Sequence, residues 1–263
     1  MRQNWIKQSL HARKASVGCW LTLASPAVAE AISHCGFDWL LIDAEHAPND
    51  ISDITAQLRA VDAARANGAN VNAAVRVQAN DPVLVKRAMD CGAQTIFFPT
   101  IETVEEATAA IASTRFPHNG NGGLRGIAGL VRAARYGLDP EYTSNANQEA
   151  CAVLQIETAK GLRNVEGIAA LTGTDCLFIG PADLSASLGH LGQSNHPEVL
   201  EAVEHILTVC KQAGKAAGIF AASAEEAAQY RDRGFSLISL HSDVAWLTRG
   251  AKNAIADYEG AAI

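Results

Sequence analysis

Eight short, β-rich apolar runs recur along the chain, each followed by a stretch with helical spacing. They occupy residues 17–23, 39–43, 73–77, 95–99, 152–157, 176–179, 216–220 and 237–240. The runs are continuously apolar rather than alternating, as in strands of a parallel sheet covered on both faces. The stretches between them carry helix punctuation. Asp81-Pro82 pairs an N-cap with a proline at the first helical position, and Gly92 follows the last turn. Thr103 with Glu106, and Ser223 with Glu226, have capping-box spacing. Ile51, Ile54, Leu58 and Val61 form one apolar stripe that stops near Asn67-Gly68. Eight alternations without a linker, in a chain of 263 residues, predict one closed (β/α)8 TIM barrel over residues 1–263. That fold typically takes roughly 250 residues. An open doubly wound sheet is the alternative, but it wants a glycine-rich turn after its first strand, where this chain reads Leu23-Ala-Ser-Pro-Ala.

Composition narrows the partners. A net charge of −7 lacks the basic face that nucleic acid requires. No run approaches the roughly 18 apolar residues of a membrane span. The basic N-terminal segment has no apolar core or cleavage site, so it does not read as a secretory signal. The six cysteines are widely spaced and contain no Cys-x-x-Cys, which predicts a reduced, cytoplasmic protein without a zinc knuckle or redox pair. One segment, residues 115–148, is too long for a simple connection and is expected to be functional or an interface. Its arginines near 125–135, Arg125, Arg132 and Arg135, are expected to be solvated or at a subunit contact.

Barrel active sites form at the C-terminal ends of the strands, and polar residues collect there. Strand one carries Trp20. Strand two ends in Asp43-Ala-Glu45-His46, and strand three carries Arg76. Strand five ends in Gln155-Ile-Glu157, and strand six in Gly180-Pro-Ala-Asp183. Glu157 and Asp183, at the ends of consecutive strands, suit a hard divalent cation with open positions for a bidentate ligand. Equally, each could cap the helix that follows it. His46 is a candidate acid/base with Asp43 or Glu45 fixing its ring, or else a structural histidine. Arg76 in an apolar strand either pairs with Asp43 or Glu45 or faces an anionic intermediate. Trp20 is either a packing residue or a wall of the site.

Four stretches together resemble the HpcH/HpaI aldolase family, the class II pyruvate-dependent aldolases. They are Gly36-Phe-Asp-Trp-Leu-Leu-Ile-Asp-Ala-Glu-His-Ala-Pro48, Ala74-Val-Arg-Val77, Gln155-Ile-Glu157 and Phe178-Ile-Gly-Pro-Ala-Asp-Leu-Ser-Ala-Ser-Leu-Gly189. The Gly92–Pro99 run and Arg132-Ala-Ala-Arg-Tyr-Gly137 also fit. The resemblance implies a barrel of the phosphoenolpyruvate/pyruvate superfamily, with Mg²⁺, Mn²⁺ or Co²⁺ on Glu157 and Asp183. It implies that pyruvate chelates this metal, with its carboxylate received by the N–H groups of Ala182 and Asp183 and Gln155 nearby. Arg76 would stabilise the enolate, and His46, oriented by Asp43, would take the C4-hydroxyl proton unless a metal-bound water does so. The implied reaction is reversible cleavage of a 4-hydroxy-2-oxo acid to pyruvate and an aldehyde. 4-Hydroxy-2-oxoheptanedioate, giving succinate semialdehyde as in aromatic catabolism, is the first candidate. Sugar-derived 2-keto-3-deoxy acids are the second, and a CoA-ester lyase is a more distant alternative. The resemblance also implies a homo-oligomer, a hexamer built as a trimer of dimers. In it the last helix, about residues 243–258, packs on a neighbour, and the segment near Arg125–Tyr136 approaches a neighbouring active site. A phosphate-binding isomerase and a non-enzymatic scaffold are the readings from other classes. The first wants glycine-rich turns after strands seven and eight. The second would not need Asp43, His46, Arg76, Glu157 and Asp183 together.

Overall fold

The computed structural model of the chain describes residues 3–261. Met1 and Arg2 of the basic N-terminal segment, with Ala262 and Ile263, lie outside the described residues. Eight parallel strands close in sequence order into one barrel. They are β1 (Ser16–Leu21), β2 (Trp39–Asp43), β3 (Asn72–Arg76), β4 (Thr95–Phe98), β5 (Cys151–Ile156), β6 (Cys176–Ile179), β7 (Ala216–Ala221) and β8 (Leu237–Ser242). The strands begin and end within two residues of the sequence-based bounds. The first stops early at Leu21 because the N–H groups of Thr22 and Leu23 turn to the Asp243 carboxylate, at 2.9 and 3.0 Å.

The barrel has two cores. Its lumen is filled by Trp20, Trp39, Leu41, Phe97, Val153 and Phe178. Phe97 packs edge-on to Phe178 at 5.2 Å, a favourable aromatic geometry. Gly18 makes this filling possible, since a Cβ there would lie 2.1 Å from the Trp39 ring. The second core lies between strands and helices and takes the apolar faces of both. An unforeseen helix, Trp5–His11, seals the bottom of the lumen with Ile6 and Leu10.

The expected helix signals are largely realised. Helix Ile51–Ala66 ends at Asn67, and helix Pro82–Asp90 starts from Asp81, whose carboxylate accepts from Val83 and Leu84. The Thr103–Glu106 box is reciprocal. At Ser223 only one arm forms: the serine accepts from the Glu226 N–H at 3.1 Å, while the Glu226 carboxylate reaches Ala222 instead. Buried Cys19, Cys151, Cys176 and Cys210 are free thiols. Burial pushes each of them up, Cys19 and Cys210 to about 12, so they stay protonated packing groups. Among the described residues no helix is long and apolar enough to cross a membrane.

The long connection between β4 and β5 is not one loop. It contains a 3-10 turn, Arg132–Gly137, and helix Tyr142–Glu149. It runs at the N-terminal face of the barrel, where Arg125 reaches Asp90 and Arg132 reaches the Cys91 carbonyl. Two of the three arginines at positions 125, 132 and 135 depart from expectation. Arg125 is buried, donating to Asp90 at 2.9 Å and to the Tyr142 hydroxyl at 2.6 Å, with its guanidinium over Phe116. Arg132 is half-buried and pairs with Asp62 at 2.6 Å. Only Arg135 is exposed. The first two are therefore internal struts of this chain, which explains how an otherwise irregular segment holds its shape.

Candidate active site

Strand register assembles the site. Asp43 and Arg76 are direct partners across β2 and β3, so the ion pair follows from the pairing of two strands. The Arg76 Nε and Nη2 atoms each donate to an Asp43 carboxylate oxygen at 2.8 Å, a bidentate fork. Its Nη1 lies 2.8 Å from Glu45 Oε2, and its guanidinium stacks over Trp20 at 4.2 Å. Arg76 is only 4% exposed. Both readings of the sequence at this arginine are thus resolved towards pairing, with Asp43 and Glu45 at once. Trp20 packs against Phe178 and Phe220.

Asp43 does not orient the His46 ring, contrary to the expectation. Its carboxylate is occupied by Arg76 and by the backbone N–H groups of Glu45 and His46, at 3.0 and 3.4 Å. The His46 side chain, 69% exposed, projects over the open rim with Nε2 3.9 Å from Glu45 Oε1. Asp43 therefore fixes the backbone from which His46 projects, and Glu45 is the carboxylate nearest the ring. Asn49 braces the turn, donating to the Asp43 and Leu21 carbonyls at 2.6 and 3.2 Å, and is itself held by Gln57.

Glu157 sits just past β5 and is 5% exposed. Its Oε1 accepts from the Thr100 N–H at 2.7 Å and hydroxyl at 3.0 Å, and its Oε2 accepts from the Gln155 amide at 2.9 Å. Burial pushes its carboxyl above the ordinary range. The Thr100 hydrogen bonds oppose this, and the nearby Asp183 charge adds to it. Glu45 is also pushed up, by burial first, against the pull of Arg76. Thr100 takes a left-handed φ of +50°, an uncommon conformation for a β-branched residue, and this aims its N–H at Glu157.

Asp183 lies in the first turn of helix Pro181–Ser187, whose N-cap is Gly180. No side chain caps this helix, and among the described residues the Asp183 carboxylate makes no hydrogen bond. That removes the capping alternative for Asp183. Gly180 shows how the two carboxylates meet. A Cβ there would lie 2.8 Å from Glu157 Oε2 and 3.7 Å from Asp183 Oδ2. Both oxygens face the same small space, and only glycine leaves it open. Gln155 Oε1, buried beside them, has no hydrogen-bond partner. Converging carboxylates with a spare buried acceptor fit a hard cation that carries water. Ala182 and Asp183 lie in the first turn of this helix, where backbone N–H groups lack intrahelical acceptors. Lys160, close to this rim in sequence, is no Schiff-base candidate: it pairs with Glu102 at 3.0 Å, and that hydrogen bond raises its pKa.

Two contributors were not singled out from the sequence, Thr100 and the Asn49–Gln57 brace. A polar residue directly after the Pro99 that closes strand four was the available signal for Thr100. Beside the site a cavity of about 330 Å³ opens, lined by Glu45, Gln78, Asn80, Thr100 and Glu106 among others.

The sequence pattern of the HpcH/HpaI aldolase/citrate lyase family matches residues 16–249. The chain belongs to this family. It is 49% identical to a hydroxypyruvate/pyruvate aldolase of Paraburkholderia phytofirmans over 253 residues, 96% of each protein. It is 41% identical to a 5-keto-4-deoxy-D-glucarate aldolase of Enterobacter sp., covering 97% of this chain and 96% of that one. A solved HpcH/HpaI aldolase/citrate lyase family protein from Burkholderia cenocepacia superposes with a TM-score of 0.94 at 48% identity, over 98% of this chain and all of that one. As a member of the HpcH/HpaI family with such relatives, the protein is a carbon–carbon lyase.

Proposed function

We propose that the protein reversibly cleaves a 4-hydroxy-2-oxo acid to pyruvate or hydroxypyruvate and a short polar aldehyde, using Mg²⁺, Mn²⁺ or Co²⁺ held by Glu157 and Asp183. The observation that carries this reading is the convergence of those two carboxylates over Gly180, beside the unpaired Gln155 oxygen. A divalent cation there supplies Lewis-acid stabilisation of the charge that develops on the 2-keto oxygen. The residues of the chain do the rest. The N–H groups of Ala182 and Asp183 receive the 2-oxo acid carboxylate. Trp20, packed on buried Phe178, closes the lumen side of the site. Arg76, forked to Asp43, bonded to Glu45 and stacked on Trp20, holds these side chains in place at the rim. His46 accepts the C4-hydroxyl proton as the C3–C4 bond breaks, directly or through water, and C3 is then protonated to release the product.

The polar lining of the cavity next to Glu45 and Thr100 favours a hydroxylated acceptor, and relatives named for hydroxypyruvate and deoxy-glucarate chemistry support the same choice. A 2-keto-3-deoxy sugar acid therefore ranks ahead of 4-hydroxy-2-oxoheptanedioate. Self-association belongs to the same reading. The last helix, Asp243–Ala261, leaves Leu247, Ile255 and Tyr258 exposed, a surface suited to a neighbouring copy. To test the function, purified protein is supplied with a panel of 4-hydroxy-2-oxo acids, sugar-derived and aliphatic, and release of pyruvate or hydroxypyruvate is followed. Turnover is expected fastest on hydroxylated substrates. Absence of release across the whole panel would refute the proposal.

A further inference from the structure

We propose that His190, His196 and Glu198 form a second cation site, for an imidazole-preferring divalent metal such as Zn²⁺. The three residues lie where the chain leaves the helix carrying Asp183 and enters helix Pro197–Ala213. One ligand atom from each falls within 4.8 Å of the others. His190 Nε2 is 2.7 Å from Glu198 Oε2, and the two imidazoles stack with centroids 3.5 Å apart and planes 16° apart. The rings lie nearly parallel, so ligation of one ion requires one imidazole to turn until both in-plane lone pairs converge.

The ligands are positioned by backbone rather than by chance. The His190 N–H donates to the Ser185 carbonyl at 2.7 Å, Gln193 to His190 at 2.9 Å, and His196 to Gln193 at 2.9 Å. These bonds fold residues 188–196 into a tight connection with both rings on one side. Ligand atoms around tetrahedral zinc sit roughly 3.3–3.5 Å apart, from bond lengths of about 2.0–2.1 Å. The three ligand atoms, within 4.8 Å of one another, would draw together to that spacing as one ring turns and exposed Glu198 follows. His196 Nδ1 accepts from the Glu198 N–H at 3.3 Å, a long bond that ligation would release. Two imidazoles and one carboxylate leave a fourth position for water, and they select zinc-like ions over Mg²⁺. Glu157 and Asp183, all oxygen, have the reverse preference. Occupancy would pin the connection that follows the Asp183 helix.

The test is calorimetric Zn²⁺ titration of the full-length protein in excess Mg²⁺, comparing wild type with His190→Ala, His196→Ala, Glu198→Ala and a control, His205→Ala. One saturable zinc per chain is expected in wild type and in the control. Affinity should fall at least tenfold in each of the other three variants. No saturable zinc in wild type, or equal affinity in wild type and the His190→Ala and His196→Ala variants, overturns the proposal.

Discussion

At the scale of single residues, Glu157 carries the clearest consequences. Its pKa is raised in the folded state, chiefly by burial. Between the unfolded and folded pKa values the folded state holds the extra proton, so this group's contribution to stability falls as pH rises through that window. Above it, the buried charge opposes folding of the metal-free protein. Glu157→Gln removes that charge and keeps an acceptor for Thr100, while a flipped Gln155 can take the new amide. The metal-free variant should melt at a higher temperature than the metal-free wild type. It should also lose the stabilisation that added Mg²⁺ or Mn²⁺ gives the wild type. A thermal melt with and without metal reads both. The same raised pKa means that metal affinity declines on acidification sooner than an ordinary glutamate would dictate. A metal titration at several mildly acidic pH values should show this, and a flat profile would contradict it. Arg76→Lys keeps the charge but loses the fork to Asp43. We expect kcat/KM to drop roughly 10²–10³-fold, and a loss under tenfold in steady-state kinetics would show that the fork is dispensable.

At the scale of elements, two short connections matter more than the strands. The turn after β4 places Thr100 in the left-handed region, and Thr100→Gly relaxes the backbone while removing the hydroxyl bond to Glu157. Metal binding should then fail at a higher pH than in wild type, with the fold intact. An unchanged pH profile would mean that the hydroxyl bond does not tune Glu157. The start of the last helix is anchored by Asp243, whose carboxylate accepts from Thr22 N–H and hydroxyl and from Leu23 N–H. Asp243→Ala orphans these donors and should cost at least about 2 kcal/mol in denaturant unfolding. The strands and the helix starts were legible because apolar runs and caps are local signals. Contacts such as Asp43 with Arg76 were legible only as alternatives, since register between β2 and β3 decides them. Helix Trp5–His11 was missed because its role is to plug the lumen, which a reading of neighbouring residues does not show. Buried Arg125 was misjudged for a related reason: its partners, Asp90 and Tyr142, are 35 and 17 residues away.

At the scale of the whole molecule, the barrel separates labour between its faces. The C-terminal face gathers Arg76, Glu157, Asp183 and His46. The N-terminal face carries the ordered segment between β4 and β5, which leaves Leu124, Ile127, Leu130 and Leu138 exposed. Together with Leu247, Ile255 and Tyr258 these residues predict an assembly larger than the 27.7 kDa chain. Light scattering after gel filtration should give a multiple of that mass, six copies in the proposed arrangement, and a monomer would refute self-association. The central claim concerns the metal. Its most direct measurement is product release from a cleaved 4-hydroxy-2-oxo acid, before and after exhaustive chelation and after metal is restored. The account predicts that chelation abolishes turnover and that Mg²⁺, Mn²⁺ or Co²⁺ restores it in wild type but not in Glu157→Gln. Undiminished turnover by the fully chelated protein would contradict it.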